Sequence, residues 1–126
     1  MDIVFEKVPL EEYLAFFKTE TDDSMERWIA IQHEFLLPPS WSGFNTYEIY
    51  CPSNISLIEN NEFVIPTGFK CVSDFKQAIC IPCFEVTKDI ELSKEELKTH
   101  IVLRGVTKNN HCFQSGDRII KLKFGA

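Results

Sequence analysis

The sequence predicts a mainly β domain, a small antiparallel β-barrel or jelly roll that carries one or two short N-terminal helices. Beyond Pro38-Pro39, short apolar or alternating runs succeed one another with Pro, Gly, Asn and Asp between them, the pattern of closely spaced strands and turns. Ahead of that pair the apolar residues recur at helical spacing instead. At 126 residues, with 44% hydrophobic and 25% charged residues, the chain fits one domain around one core of ordinary size.

The N-terminal part, about residues 1–27, reads as a helical extension. Pro9 suits a first helical position, and Leu10, Tyr13, Leu14 and Phe17 then share a face, with Glu11 and Glu12 near the positive end of the dipole. A helix over Pro9 to Lys18 follows. Thr21-Asp22-Asp23-Ser24 ends it, and Asp23 with Glu26 three positions later has the form of a capping box for a second helix. From Trp28 to Leu37 the residues Ile29, Ile31, His33 and Phe35 alternate equally well, so this stretch reads either as a continuation of the second helix or as a strand running up to the prolines, with helix before Trp28 and strand after it the favoured division. Pro38-Pro39 excludes helix and forces extended backbone.

Strands are then predicted at Thr46 to Tyr50, Ile55 to Ile58, Glu62 to Ile65, Phe69 to Val72, Ala78 to Ile81, Glu85 to Val86, Thr99 to Leu103 and Arg118 to Phe124. Asp89 to Leu97 is charged and reads as an exposed loop or one helical turn.

A net charge of -6 with a pI near 5.0 excludes a general grip on nucleic acid or on an anionic membrane, because phosphate binding needs clustered Lys and Arg. The apolar runs are too short to span a bilayer, and the first residues lack the basic-then-apolar order of a signal peptide. Five cysteines, an odd number, fit reduced thiols better than a closed disulfide framework. An intracellular location, cytoplasmic or nuclear, is expected, with neither nucleic acid nor membrane as partner.

From about Leu37 to Phe124 the order of short motifs resembles the trimeric dUTPases. Gly116-Asp117-Arg118-Ile119-Ile120-Lys121-Leu122 is similar to that family's G-D-R-I-A-Q-L, and Ile65-Pro66-Thr67-Gly68-Phe69-Lys70 to its P-T-G-I-K hairpin. Tyr47-Glu48-Ile49-Tyr50 resembles Y-D-L-Y, Pro38 to Phe44 the L-P-x-R segment and glycine turn, and Asn54-Ile55-Ser56-Leu57 the following D-x-x-L strand. Glu96 to Leu103 resembles the E-L-x-V-V-L-F-N strand. The resemblance implies a dUTPase-like β-barrel or jelly roll and a homotrimer, in which association buries strands that a lone barrel would expose.

The departures bear on catalysis. The family's P-R-S-G turn holds nucleotide phosphates with a guanidinium and a hydroxyl, whereas here Pro82 is followed by Cys83 and Phe84. Its G-x-x-D-x-x-Y-R-G hairpin supplies the water-activating carboxylate, but Val86 to Glu96 is shorter and has neither glycine nor tyrosine. Asp89 is the acid nearest that place. Glu48 stands where the family has its metal-supporting aspartate, and the glycine-rich arm that closes over substrate has no counterpart before Phe124-Gly125-Ala126. A residual nucleotide or metal site would therefore rest on Glu48, Asp89 and Gly68, with magnesium as cofactor only if nucleotide binding survives and no cofactor otherwise.

Cys80-Ile81-Pro82-Cys83 is a C-x-x-C that would bind zinc only with two further ligands, and Cys71, His111 and Cys112 offer no second C-x-x-C. Buried strand and turn cysteines are the favoured reading. For Gly116, Asp117 and Arg118 the resemblance implies a structural role rather than catalysis, the arginine of this turn tying strands or subunits together through a carboxylate. Trp41 and Phe44, in the Ser-Trp-Ser-Gly turn region, are the candidates for contact with a protein partner. The leading reading is a catalytically inactive, dUTPase-derived interaction or regulatory adaptor, of the kind viruses carry. The alternatives are a dUTP pyrophosphatase, active or nucleotide-binding, with a divergent site, and a structural assembly component.

Overall fold

The computed structural model describes residues 3–17 and 23–125. In chain order the elements are β1 (Phe5–Lys7), α1 (Leu10–Phe16), α2 (Asp23–Glu34), β2 (Ser40–Gly43), β3 (Thr46–Tyr50), β4 (Ile55–Leu57), β5 (Glu62–Pro66), β6 (Phe69–Cys71), β7 (Gln77–Pro82), α3 (Lys94–Thr99), β8 (Val102–Val106), β9 (His111–Phe113) and β10 (Arg118–Gly125). The chain is mainly β, and every strand pairing among the described residues is antiparallel.

The ladders form one four-stranded sheet, ordered β2-β3-β10-β7, and the pairs β1-β6, β4-β9 and β5-β8. Among the described residues no ladder closes on itself, so of the two expected forms, barrel or jelly roll, a closed barrel is not formed. The physical reason is length: strands such as β4, β6 and β9 have three residues each, enough to pair once but not to carry a continuous ladder around a circle. What unites the sheets is a shared core. Ile49, Ile65, Leu97, Ile101, Leu103, Ile119, Ile120, Leu122 and Phe124 are buried together within it, and removing such side chains from water is the main favourable term in folding.

A second, smaller cluster of Val8, Tyr13, Ile29, Leu36 and Phe69 seats the helices on β6. The Tyr13 hydroxyl donates to Gln32 Oε1 and so links α1 to α2. His33 Nε2 donates to the Val8 carbonyl over 2.6 Å.

The helical region departs from expectation in several places. The N-terminal segment is not purely helical: Phe5–Lys7 pairs with Phe69–Cys71, and the second helix continues beyond Trp28 to Glu34, where a strand was expected. Ile29 and Leu36 face inward while Ile31 and Phe35 remain exposed, so the alternating apolar residues do not line one buried face. Pro9 is the residue flanking α1, not its first turn, and Lys18 lies outside the described residues. Asp23 stands in the first turn of α2 beside Glu26, and the position that would cap that helix also lies outside the described residues.

The capping box occurs instead at α3. There the Ser93 hydroxyl accepts from the Glu96 N–H, and Glu96 Oε2 accepts from the Ser93 N–H. Thr99 accordingly ends a helix, and its strand begins only at Val102. Glu85-Val86 forms a single bridge from Val86 to Thr107. Among the described residues no helix is long and apolar enough to cross a membrane.

Candidate functional site: an apolar groove along the second helix

The helix α2 has two apolar sides. Ile29 turns into the small core, whereas Trp28 and Ile31, with Phe35 one residue past the helix, are spaced three and four apart and stay exposed beside it. Trp28 is 69% exposed and Phe35 73%, values that a core-packing role would not leave. Facing this stripe are Ile55, the first residue of β4, and Val64 and Pro66 on β5, and together they border a groove of about 670 Å³. The lining is mostly apolar, and exposed apolar patches of this size are uncommon on the surface of a free protein.

The residues singled out from sequence lie elsewhere. Trp41 is exposed as expected, but it belongs to strand β2, opposite Tyr47, and not to a turn. The turn is formed by Phe44 and Asn45 between the paired Gly43 and Thr46, with Phe44 exposed at the tip and Asn45 in the left-handed region at φ 51°.

Glu48 and Arg118 come together on the outer face of the four-stranded sheet. Arg118 Nη1 donates to Glu48 Oε1 over 3.0 Å, and the Ser42 hydroxyl donates to the same oxygen over 3.3 Å. The hydrogen bond from Arg118 holds the Glu48 carboxyl below the usual carboxylate range. Asp117 closes its own turn: its Oδ2 accepts from the Gln114 N–H, and its carbonyl accepts from Cys51 N–H over 2.7 Å. Gly116 at φ 90° takes the backbone conformation that this turn requires, and its N–H donates to the Cys51 carbonyl. In this structure Gly116, Asp117 and Arg118 connect β10 to β3 and to the chain that follows β3.

Gly68 is at φ 81° beneath Leu36 and Tyr13, where a Cβ would collide with Leu36, and its N–H donates to His100 Nε2 over 3.0 Å. Asp89 borders a different cleft, beside β7. Among the described residues no hydrogen bond or ion pair joins Glu48, Asp89 and Gly68.

Cys83 lines a cleft with His111, Phe113, Asp117, Arg118 and Lys121. Burial raises its thiol pKa, outweighing the opposing pull of Lys121 and Arg118, and burial pushes Cys80 up to about 12. Both are therefore neutral thiols near pH 7. Among the described residues no group of three or more His, Cys, Asp and Glu comes together that would hold a metal ion. All five cysteines are free.

Sequence reasoning missed the groove. Trp28, Ile31 and Phe35 do repeat at helical spacing, and that signal was legible once α2 was taken to run through Glu34. Compared with known proteins, the chain matches no family model and no curated protein.

Proposed function

We propose that this chain is a non-catalytic, dUTPase-derived interaction protein, assembled as a homotrimer on a dUTPase-like jelly-roll scaffold. Its function on this reading resides in its surface. The observation that carries it is the stripe of Trp28, Ile31 and Phe35 above a groove of about 670 Å³, which suits the apolar face of a protein partner.

The chemistry at the positions that resemble the nucleotide site supports the same reading. The turn after β7 offers a neutral thiol, Cys83, where phosphate binding would want a guanidinium, and Arg118 in the same cleft is engaged by Glu48. Glu48 is thereby neutralised by a cation from its own chain, which leaves it poorly placed to hold magnesium.

Calorimetric titration with a non-hydrolysable dUTP analogue and magnesium, with native mass recorded on the same sample, tests this. The expected result is a folded trimer that releases no heat at millimolar ligand. Binding at micromolar concentration would overturn the non-catalytic reading and direct mutation to Glu48 and Asp89, and a monomeric mass would remove the trimer.

A further inference from the structure

The four-stranded sheet ends at β7, and one side of that strand is open. The alternation of hydrogen bonds along β10 identifies the open groups. Phe124 N–H donates to the Asn45 carbonyl next to β3, and the Ile119 carbonyl accepts from Cys83 N–H beyond β7, so residues 119, 121, 123 and 125 of β10 bond toward β7. Their partners are Cys83, Ile81, Ile79 and Gln77. Ala78 and Cys80 therefore point their N–H and C=O groups away from the sheet, as Pro82 does its carbonyl. Pro82, which has no N–H to give, occupies an outward position, as a proline on an edge strand must.

Edges of this kind are normally blunted by charge, by proline, by a bulge or by a covering segment, and here Pro82 blunts only the last outward position, leaving Ala78 and Cys80. Along β7 there is no charged residue from Gln77 to Pro82, and the register with β10 runs without a bulge. Ile79 and Ile81 are 57% and 44% exposed. Beside the edge runs the segment Asp89 to Leu92, anchored by buried Ile90, and between the two lies a cleft of about 500 Å³. Among the described residues the backbone of Asp89 to Leu92 makes no hydrogen bond, and the charged side chains that line the cleft are Asp89 and Glu91, both acidic.

We propose that the β7 edge receives an extended segment of a partner protein as a fifth strand, its apolar residues beside Ile79 and Ile81 and its lysines or arginines toward Asp89 and Glu91. Main-chain bonds to Ala78 and Cys80 supply the affinity, and the acidic wall selects basic over acidic segments. The site shares no lining residue with the groove on α2 and does not depend on it.

The test is nitrogen-15 NMR of the whole chain titrated with a capped heptapeptide of alternating lysine and valine. The Ala78 and Cys80 amide signals are expected to shift, with their hydrogen exchange slowed about tenfold or more at saturation. Replacing the lysines by glutamates is expected to weaken binding about tenfold, and N-methylation of alternate peptide amides to abolish it. Ile79→Lys, at an exposed position, is expected to keep the melting temperature and lose the peptide, while Asp89→Asn with Glu91→Gln removes the preference for lysine. Absence of shifts at Ala78 and Cys80 at millimolar peptide would overturn the proposal, as would shifts confined to α2. So would a fall in native mass on Ile79→Lys, which would mean that a second copy of the chain covers this edge.

Discussion

Arg118 stands opposite Tyr50 in the ladder of β10 with β3, yet its guanidinium reaches along the same face to Glu48, Nη1 to Oε1 at 3.0 Å. The bulge in β10 between Arg118 and Ile120 allows that reach. Glu48 titrates below the ordinary carboxylate range because of this hydrogen bond. Its contribution to stability is thus present above the unfolded value of about 4.3 and is lost as the pH falls through the lowered folded value. Arg118→Ala should melt below the parent at neutral pH, with the gap closing in acid. Thermal melts of both proteins across that range provide the check, and a gap that persists after Glu48 is protonated would mean that the arginine acts through packing.

His100 accepts the Gly68 N–H at Nε2, which only the unprotonated ring nitrogen can do. Burial lowers its pKa, partly opposed by Glu12. The stabilisation is complete above about pH 6.5 and disappears as the pH drops through the lowered folded value. Urea unfolding midpoints should fall from neutral pH toward pH 5 in the parent, and more gently in His100→Gln.

Gly68 and Gly116 both have positive φ, but a Cβ at Gly68 strikes Leu36, whereas one at Gly116 meets Leu37 Cδ1 at an ordinary 3.5 Å. Gly116→Ala is expected to cost about 1–2 kcal/mol from backbone strain. Gly68→Ala should cost more, up to about 3 kcal/mol, because the packing of α2 on β6 must also yield. Denaturant titration of the two variants ranks them, and equal losses would show that Leu36 rotates away freely.

Trp28 and Phe35 contribute little to the fold itself. Replacing both with serine should change stability by about 0.5 kcal/mol or less, while removing the fluorescence of an apolar dye bound to the native protein. A large drop in melting temperature would instead place these rings in the packing of α2.

Much of the sheet was legible because its strands carry a local signal. Thr46–Tyr50 and Arg118–Gly125 alternate, end at turn residues, and were read within a residue or so of their bounds. Phe5–Lys7 gave no such signal, because a three-residue strand with two charged members has no period to detect and exists only through its pairing with β6. The second helix was read as ending near Trp28 because Ile29, Ile31, His33 and Phe35 alternate, yet Ile31 and Phe35 stay exposed while Ile29 is buried, so the alternation marks no strand face. The Ser93–Glu96 pair was a legible helix start that the surrounding charge obscured. Of the sites, the Arg118–Glu48 pairing was not legible, because Glu48 was read as a metal-supporting acid and the two residues meet only through the ladder of β10 with β3, while the groove and the β7 edge depend on which residues the tertiary fold leaves uncovered.

The position of β10 between β3 and β7 also bears on how the protein is made. Both flanking strands precede it in the sequence, β3 by about seventy positions, so the nascent chain presents two unfinished borders until the residues from Arg118 onward leave the ribosome. Pairings over such separations are slow to form, and the wait exposes Ile49, Ala78 and Cys80, which pack in or against the core of the finished fold, to intermolecular capture. Yield in the cell should therefore depend on chaperone supply during translation more than on the stability of the finished molecule.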